Sequence, residues 1–212
     1  TPSYNQSVFI EKTLKSVAGQ RHTPIEYIVL DGGSKDGTKD VLQQYDNHLS
    51  YWRSQPDGGQ AEAIKEGLAR ADGDVHAYIN SDDLYLPGAI SAVAAFFENH
   101  PSVDIIVGNT VIIDASDQVL DLRWPVPVSF RELLYVGAPF NQVGCFWRAE
   151  AEEKAGGFDP SFDFSMDYDF FIRMLETGSR IAILDRFVAA YRINQKAKSS
   201  RLKDLSLRER AF

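Results

Sequence analysis

Apolar positions along the first two thirds of the chain alternate between two periods. Ile10, Leu14 and Val17 recur at helical spacing, whereas Ile25-Glu26-Tyr27-Ile28-Val29-Leu30 reads as a strand ending at Asp31. The loop 32–37 carries turn residues and an N-cap for a helix through about Tyr45. A short strand is predicted near 49–53, and the loop 55–59 opens a helix over 61–71. Residues 75–80 read as a buried strand that stops at Ser81-Asp82-Asp83. Pro87 suits a first helical turn, so a helix follows to about Asn99, and 104–108 is another strand.

Strands alternating with helices, with polar loops at strand C-termini, predict an open α/β sheet that is mostly parallel. Ligands of such sheets bind beyond the carboxyl ends of the strands. Asp31, Asp57 and the Asp82-Asp83 pair all fall on that edge. The last third is less regular: helices are expected at 129–136, 167–176 and 201–210, and strands at 143–147, 181–184 and 187–193. No internal repeat, low-complexity tract or linker interrupts the chain, so a single domain is expected.

Composition narrows the classes. At 212 residues and 44% hydrophobic, the chain can bury one good core. The single Cys145 excludes an internal disulfide and a multi-cysteine zinc site, which fits a reducing compartment and a cytoplasmic location. No apolar stretch approaches the roughly 18–20 residues that cross a bilayer, and no signal peptide opens the chain. A net charge of −8 argues against nucleic acid as a partner. Residues 192–210 run against that balance, with seven basic and two acidic side chains.

Three constellations can carry chemistry. In Tyr78-Ile79-Asn80-Ser81-Asp82-Asp83, two adjacent carboxylates at a strand end repel each other, and a divalent cation removes that cost. The bland alternative is a solvated turn. Asp31 precedes two glycines, so its carboxylate can meet a nucleobase or ribose, or else cap its own turn on Gly33 and Ser34. Asp159, Asp163, Asp167 and Asp169 crowd a third segment, where Asp167 opens a helix whose N-terminus favours the ionised form a general base needs. Helix capping by Asp167 or Asp169 explains the same pattern. Dinucleotide and P-loop glycine motifs are absent.

Thr1-Pro2-Ser3-Tyr4-Asn5, Asp31-Gly32-Gly33-Ser34-Lys35-Asp36-Gly37-Thr38, Gln55-Pro56-Asp57-Gly58-Gly59-Gln60 and Asn80-Ser81-Asp82-Asp83 occur in an order that resembles family 2 glycosyltransferases. The likeness continues through Phe140-Asn141-Gln142 and Met166-Asp167-Tyr168-Asp169. The resemblance implies a GT-A fold: a Rossmann-like, mostly parallel central sheet flanked by helices. A nucleotide-sugar half of about 1–109 would adjoin an acceptor half of about 110–212, and a first strand would precede residue 1. It implies that Pro2, Ser3, Tyr4 and Asn5 line the nucleotide pocket with Asp31 and Gly32. Asp57 and Gln60 would follow the ribose and sugar, with Asn80 and Ser81 beside them. Asp82 and Asp83 would hold Mg²⁺ or Mn²⁺, Asp167 would be the catalytic base, and Asn141, Gln142 and Asp169 would face the acceptor.

The activity implied is inverting transfer from a nucleotide-sugar, with UDP favoured because Asp31 suits an imide N–H, to a saccharide or lipid-linked saccharide in surface polysaccharide synthesis. Position 80 is Asn where Asp is commoner in the family, and Asn194 or Gln195 falls where many relatives carry a metal-binding His. An amide oxygen or a water would then replace the imidazole. For the basic terminus, a solvated helix, contact with an anionic membrane surface at the inner face of the cell membrane, and a lid of Lys198, Ser199, Ser200 and Arg201 over the diphosphate are the alternatives. Competing activities are a sugar nucleotidyltransferase, which lacks its glycine-rich Arg loop here, a non-catalytic sugar-nucleotide-binding module, and a glycosidase.

Overall fold

The computed structural model describes residues 1–21 and 24–194. The short segment β1 (Pro2–Ser3) leads to α1 (Ile10–Ala18), then β2 (Ile28–Asp31), α2 (Thr38–Gln44), β3 (Tyr51–Ser54) and α3 (Gln60–Leu68). β4 (Val75–His76) and β5 (Leu84–Tyr85) precede α4 (Ala89–Asn99), β6 (Ile105–Ile113) and β7 (Val119–Arg123). The chain closes with α5 (Phe130–Val136), β8 (Cys145–Arg148), α6 (Ala149–Ala155), α7 (Met166–Glu176) and β9 (Ile181–Arg192).

The strands form two sheets: three in the parallel order β1-β2-β3, and six in the order β4-β8-β6-β9-β5 with β7 on β6. β6 and β9 run parallel, while β7 and β8 run antiparallel to β6. The α/β class with a parallel sheet flanked by helices is as the alternation implied, and the second sheet adds a mixed half.

Neighbouring residues of β6 face opposite ways, as a pleated strand requires. Ile106 meets Leu14, Val93 and Phe97 of α1 and α4 in one core. Ile105 and Val107 meet Ile64, Phe170 and Met174 of α3 and α7 in the other. Trp147 is fully buried there, 5.2 Å from Phe170 and 5.9 Å from Phe171 in edge-on contact. Burying a large apolar side chain of this kind stabilises by roughly 1.5–3 kcal/mol. At Gly108 an added Cβ would lie 2.5 Å from Val188, so glycine lets β9 approach where the β6–β9 register shifts.

Several boundaries differ from the sequence reading. α4 starts at Ala89 with Gly88 as N-cap, leaving Pro87 outside the helix. The two strands expected at 181–184 and 187–193 are one bulged strand, β9. β5, β7 and α6 were not anticipated. The helix expected at 201–210, the lid and the rest of the basic terminus lie outside the described residues. Among the described residues no helix is long and apolar enough to cross a membrane.

Candidate functional site

The three parallel strands end in one row, because Ser3 pairs with Asp31 and Asp31 with Ser54. Asp31 is fully buried. Its carboxylate accepts from Ser34 N at 2.9 Å, Ser34 Oγ at 2.5 Å and Ser54 Oγ at 2.6 Å. The turn-capping alternative thus accounts for most of its lone pairs, through Ser34 and Ser54 rather than Gly33. Gly33 has φ +80°, and a Cβ there would lie 2.9 Å from the nitrogen of Pro56, so this turn demands glycine.

The loop after β1 is laced to the loop after β2. Asn5 N donates to Ser34 Oγ, Gln6 N to Thr38 Oγ1, and Ser7 N to Asp36 Oδ2, at 2.7, 3.1 and 3.0 Å. Lys35 N returns a bond to Asn5 Oδ1 at 2.9 Å. Pro2 and Ser3 are buried, whereas the Tyr4 ring is 62% exposed. A Cβ on Gly32 would lie 3.1 Å from Asp57 Oδ1 and 3.4 Å from the Tyr4 ring, so Tyr4, Gly32 and Asp57 converge on one spot. Asp57 Oδ1 also accepts from Gly59 N at 3.0 Å.

A second set of residues lies on the loop after β4. Gln60 Nε2 donates to Asn80 Oδ1 at 2.8 Å, tying the start of α3 to this acid loop, and Ser81 is buried. Asp82 and Asp83 point apart. Asp82 Oδ2 accepts from Asn194 Nδ2 at 3.0 Å. Asp83 is 1% exposed, with Oδ1 accepting from Arg192 N at 2.8 Å and its carbonyl accepting from Thr13 Oγ1 at 2.8 Å. The Asp83 carboxylate thus ties the end of β9 into the core. Burial pushes the Asp82 carboxyl up from its usual value, while the amide of Asn194 and the charge of Arg192 work against the shift. Burial and then the adjacent Asp82 charge push Asp83 well up.

Among the described residues, no group of three or more His, Cys, Asp or Glu side chains could hold a metal ion. Asp82 nonetheless suits Mg²⁺ or Mn²⁺, which use one or two carboxylates and complete their shell with water and phosphate oxygens. A cation there would offset the burial that disfavours its charged form. Asn194, one of the two positions named for the replaced His, does lie against Asp82. Gln195 is outside the described residues.

On the other half, Asp167 sits in the first turn of α7 and accepts from Tyr168 N at 2.8 Å. Burial raises the Tyr78 phenol and the Cys145 thiol well above their usual values, and the nearby Asp167 charge adds to both. Asp169 Oδ2 accepts from Arg173 Nε and Nη2 at 3.0 and 2.6 Å, in an i,i+4 pair. Asn141 Nδ2 donates to Thr110 Oγ1 at 2.8 Å and Gln142 Nε2 to Tyr78 O at 2.7 Å. Asp159 serves its own turn, with its pKa lowered by the backbone bond from Ser161.

Two arginines were given no site role in the sequence reading, Arg192 being counted only in the basic stretch. Arg53 Nε and Nη2 hold Glu66 Oε2 at 2.9 and 2.5 Å, and its Nη1 reaches Asp31 O, Gln55 O and Asp57 Oδ2 at 3.3, 3.2 and 3.5 Å. Arg192, 1% exposed, donates from Nε to Asp82 O and from Nη1 to Asp114 O, both at 2.7 Å, and pairs with Asp117 at 2.6 Å. An arginine at or next to the end of a strand beside a candidate site was the available signal in both cases.

The pattern of Glycosyl transferase family 2 matches residues 1–148. An uncharacterised glycosyltransferase of Mycobacterium tuberculosis is 32% identical over 176 residues, covering 82% of this chain and 66% of that protein. TuaG of Bacillus subtilis, a glycosyltransferase assigned to teichuronic acid biosynthesis, is 29% identical over 207 residues, covering 94% of this chain and 80% of its own. Among solved structures, Staphylococcus aureus TarS 1–349 in complex with UDP-GlcNAc superposes with a TM-score of 0.76 at 21% identity. That match covers 94% of this chain and 59% of the other. The chain thus spans about two thirds of the length of its mycobacterial relative. It belongs to glycosyl transferase family 2.

Proposed function

We propose that the chain transfers a sugar from a nucleoside diphosphate sugar, with UDP as the favoured nucleotide, to an acceptor hydroxyl with inversion at the anomeric carbon. The observation that carries this reading is the continuous polar edge from Ser3, Asp31 and Ser54 through Asp57 and Gln60 to Asn80 and Asp82. It runs along the carboxyl ends of strands, where open α/β sheets bind ligands.

Each residue takes a part that its surroundings support. Tyr4 presents its open ring to the base. Asp31, which holds the loop through Ser34 and Ser54, offers its remaining lone pair to an imide N–H once the Ser34 hydroxyl turns aside. Gly32 leaves room for the ribose beside Asp57. Gln60 and Asn80 orient the sugar next to Asp82. Asp82 would hold Mg²⁺ or Mn²⁺, which would supply positive charge for the diphosphate oxygens. Asp167 takes the proton of the acceptor hydroxyl, whose oxygen forms the new bond to the anomeric carbon as the bond to the diphosphate breaks. The electron pair leaves with the nucleoside diphosphate. The assignment of TuaG to teichuronic acid synthesis supports a saccharide acceptor in surface polysaccharide assembly.

Calorimetric titration of UDP, GDP and dTDP, each with Mn²⁺ and with EDTA, tests this reading on wild type and Asp82→Ala. One nucleotide is expected to bind with Mn²⁺ and to lose most of its affinity in EDTA or in the variant. Equal binding by the variant would remove Asp82 from the donor site, and no binding by any nucleotide would sink the donor reading.

A further inference from the structure

Among the described residues β7 pairs with β6 alone, so its other side is an open ladder. All five of its residues are exposed, and Val119, Leu120, Leu122, Trp124 and Val126 are each between 39% and 63% exposed. An exposed apolar edge is a template for pairing with another chain unless a bulge, proline or unmatched charge blunts it. A bulge does lie between the Ile113–Val119 and Ile112–Asp121 pairs, and Pro125 and Pro127 close the other end. Between them the strand is regular, with Asp121, Leu122 and Arg123 opposite Ile112, Val111 and Thr110.

The backbone limits what can dock there. Leu122 N donates at 2.8 Å to the carboxylate of its own neighbour Asp121 rather than to β6, so this amide faces the open side. Alternate residues of an antiparallel ladder share a side, which turns Leu120 and Trp124 outward with Leu122. Asp121 and Arg123 then face β6 with their backbone, while their side chains stand together on one face, paired at 2.8 Å. These two charges, opposite in sign and two residues apart, make the edge complementary to itself. An antiparallel partner must set outward residues against outward residues. A two-fold axis at Asp121 opposes Asp121 to its own copy, and one at Arg123 opposes Arg123 to its own copy. Like charges directly opposite destabilise a pair of strands. An axis at Leu122 instead sets Asp121 against Arg123 of the second copy twice, with Leu122 against Leu122 and Leu120 against Trp124.

We propose that β7 is an interface between two copies of this chain, which join their β7 edges antiparallel about a two-fold axis at Leu122 and continue the mixed sheet from one chain into the next. The Leu122 amide exchanges the Asp121 carboxylate for the Leu122 carbonyl of the second copy. The freed carboxylate turns to Arg123 across the axis. A ladder of about five residues per copy belongs to the small class of interface, so the association is weak and reversible.

Sedimentation velocity of the 212-residue chain, followed up to about 1 mM, tests this. Wild type is expected to move from monomer to dimer as concentration rises, and less so as salt is added. Asp121→Arg and Arg123→Asp each oppose like charges across the axis and should weaken association by about tenfold or more. A mixture of the two variants regains both opposite-charge pairs and should recover the dimer, as should the double exchange of Asp121→Arg with Arg123→Asp in one chain. Both positions are exposed, so the melts of the variants should follow wild type closely. Should a variant fail to fold, hydrogen exchange of wild type decides: the Leu122 amide must slow as concentration rises. A wild type that stays monomeric throughout would overturn the proposal, as would single variants that still associate or a mixture that does not recover. Equal protection of the Leu122 amide at low and high concentration would put a segment of the same chain on this edge, and overturn it too.

Discussion

Arg53 spreads one guanidinium over the Glu66 carboxylate of α3, two carbonyls and the Asp57 carboxylate. Its side chain is 9% exposed and that of Glu66 29%, so the pair is shielded enough for the geometry of the planar fork to matter. Removing the fork leaves Glu66 Oε2 and the Gln55 carbonyl without this donor, while Glu66 Oε1 keeps Arg70 and the Asp31 carbonyl keeps Gln55 N, and Arg53→Ala should cost about 3 kcal/mol. A Tm lower by roughly 6–12 °C is the expected reading, with Arg53→Lys recovering less than half because it cannot serve several acceptors at once. The hydrogen bond from Arg53 holds the Glu66 pKa below its usual value, with Arg70 adding to it. A depressed folded pKa means stability that is fully present above the unfolded value, near 4.3. It is lost as pH falls through the folded one. The gap between melts of wild type and Arg53→Ala should therefore narrow as pH falls below about 4; a gap unchanged down to pH 3 would count against the pair.

Elements differ in how plainly the sequence announces them, and the reason is how each is buried. α1 and α7 show helical period because one stripe of each is buried, and β2 shows strand character because all four of its residues are. The acids at strand ends were readable for the same reason: a buried run stops where a carboxylate must meet solvent or a partner. β7 is exposed along its whole length, so its apolar residues carry no alternation to read, and β5 has only two residues. The bond from Arg192 N to Asp83 was not legible, because that partner is 109 positions away in sequence. α5 is a case where local chemistry decides. Its seven residues are too few to hold a helix alone, and Ser129 and Glu132 close a capping box at its start. Ser129→Ala should cost about 1 kcal/mol and lower Tm by roughly 2–4 °C, without altering nucleotide binding. Loss of nucleotide affinity in that variant would place α5 in the donor site instead.

At the scale of the whole molecule, the proposed donor site draws on two sheets that share no ladder among the described residues. Asp31 and Asp57 belong to the parallel sheet, and Asp82 follows β4 of the mixed one, with Gln60 to Asn80 as a side-chain bond between them. A nucleoside diphosphate that touches both edges must then act as a tie between sheets, stabilising only the arrangement in which they are correctly spaced. Mass action sets the size: at a hundredfold excess over Kd, a ligand of the native state alone adds about 2.7 kcal/mol. For a chain of this length that is a Tm rise of roughly 5–10 °C. The rise should appear with UDP and Mn²⁺ together and shrink to under half with UDP in EDTA, since the diphosphate then meets Asp82 as a like charge. Uridine should be the sharper control. It reaches the Tyr4 and Asp57 side and has no diphosphate to carry to Asp82, so any stabilisation it gives should be indifferent to EDTA. An equal rise with uridine and UDP would mean that the ligand grips the parallel sheet only, and that the two sheets are held together by the protein alone.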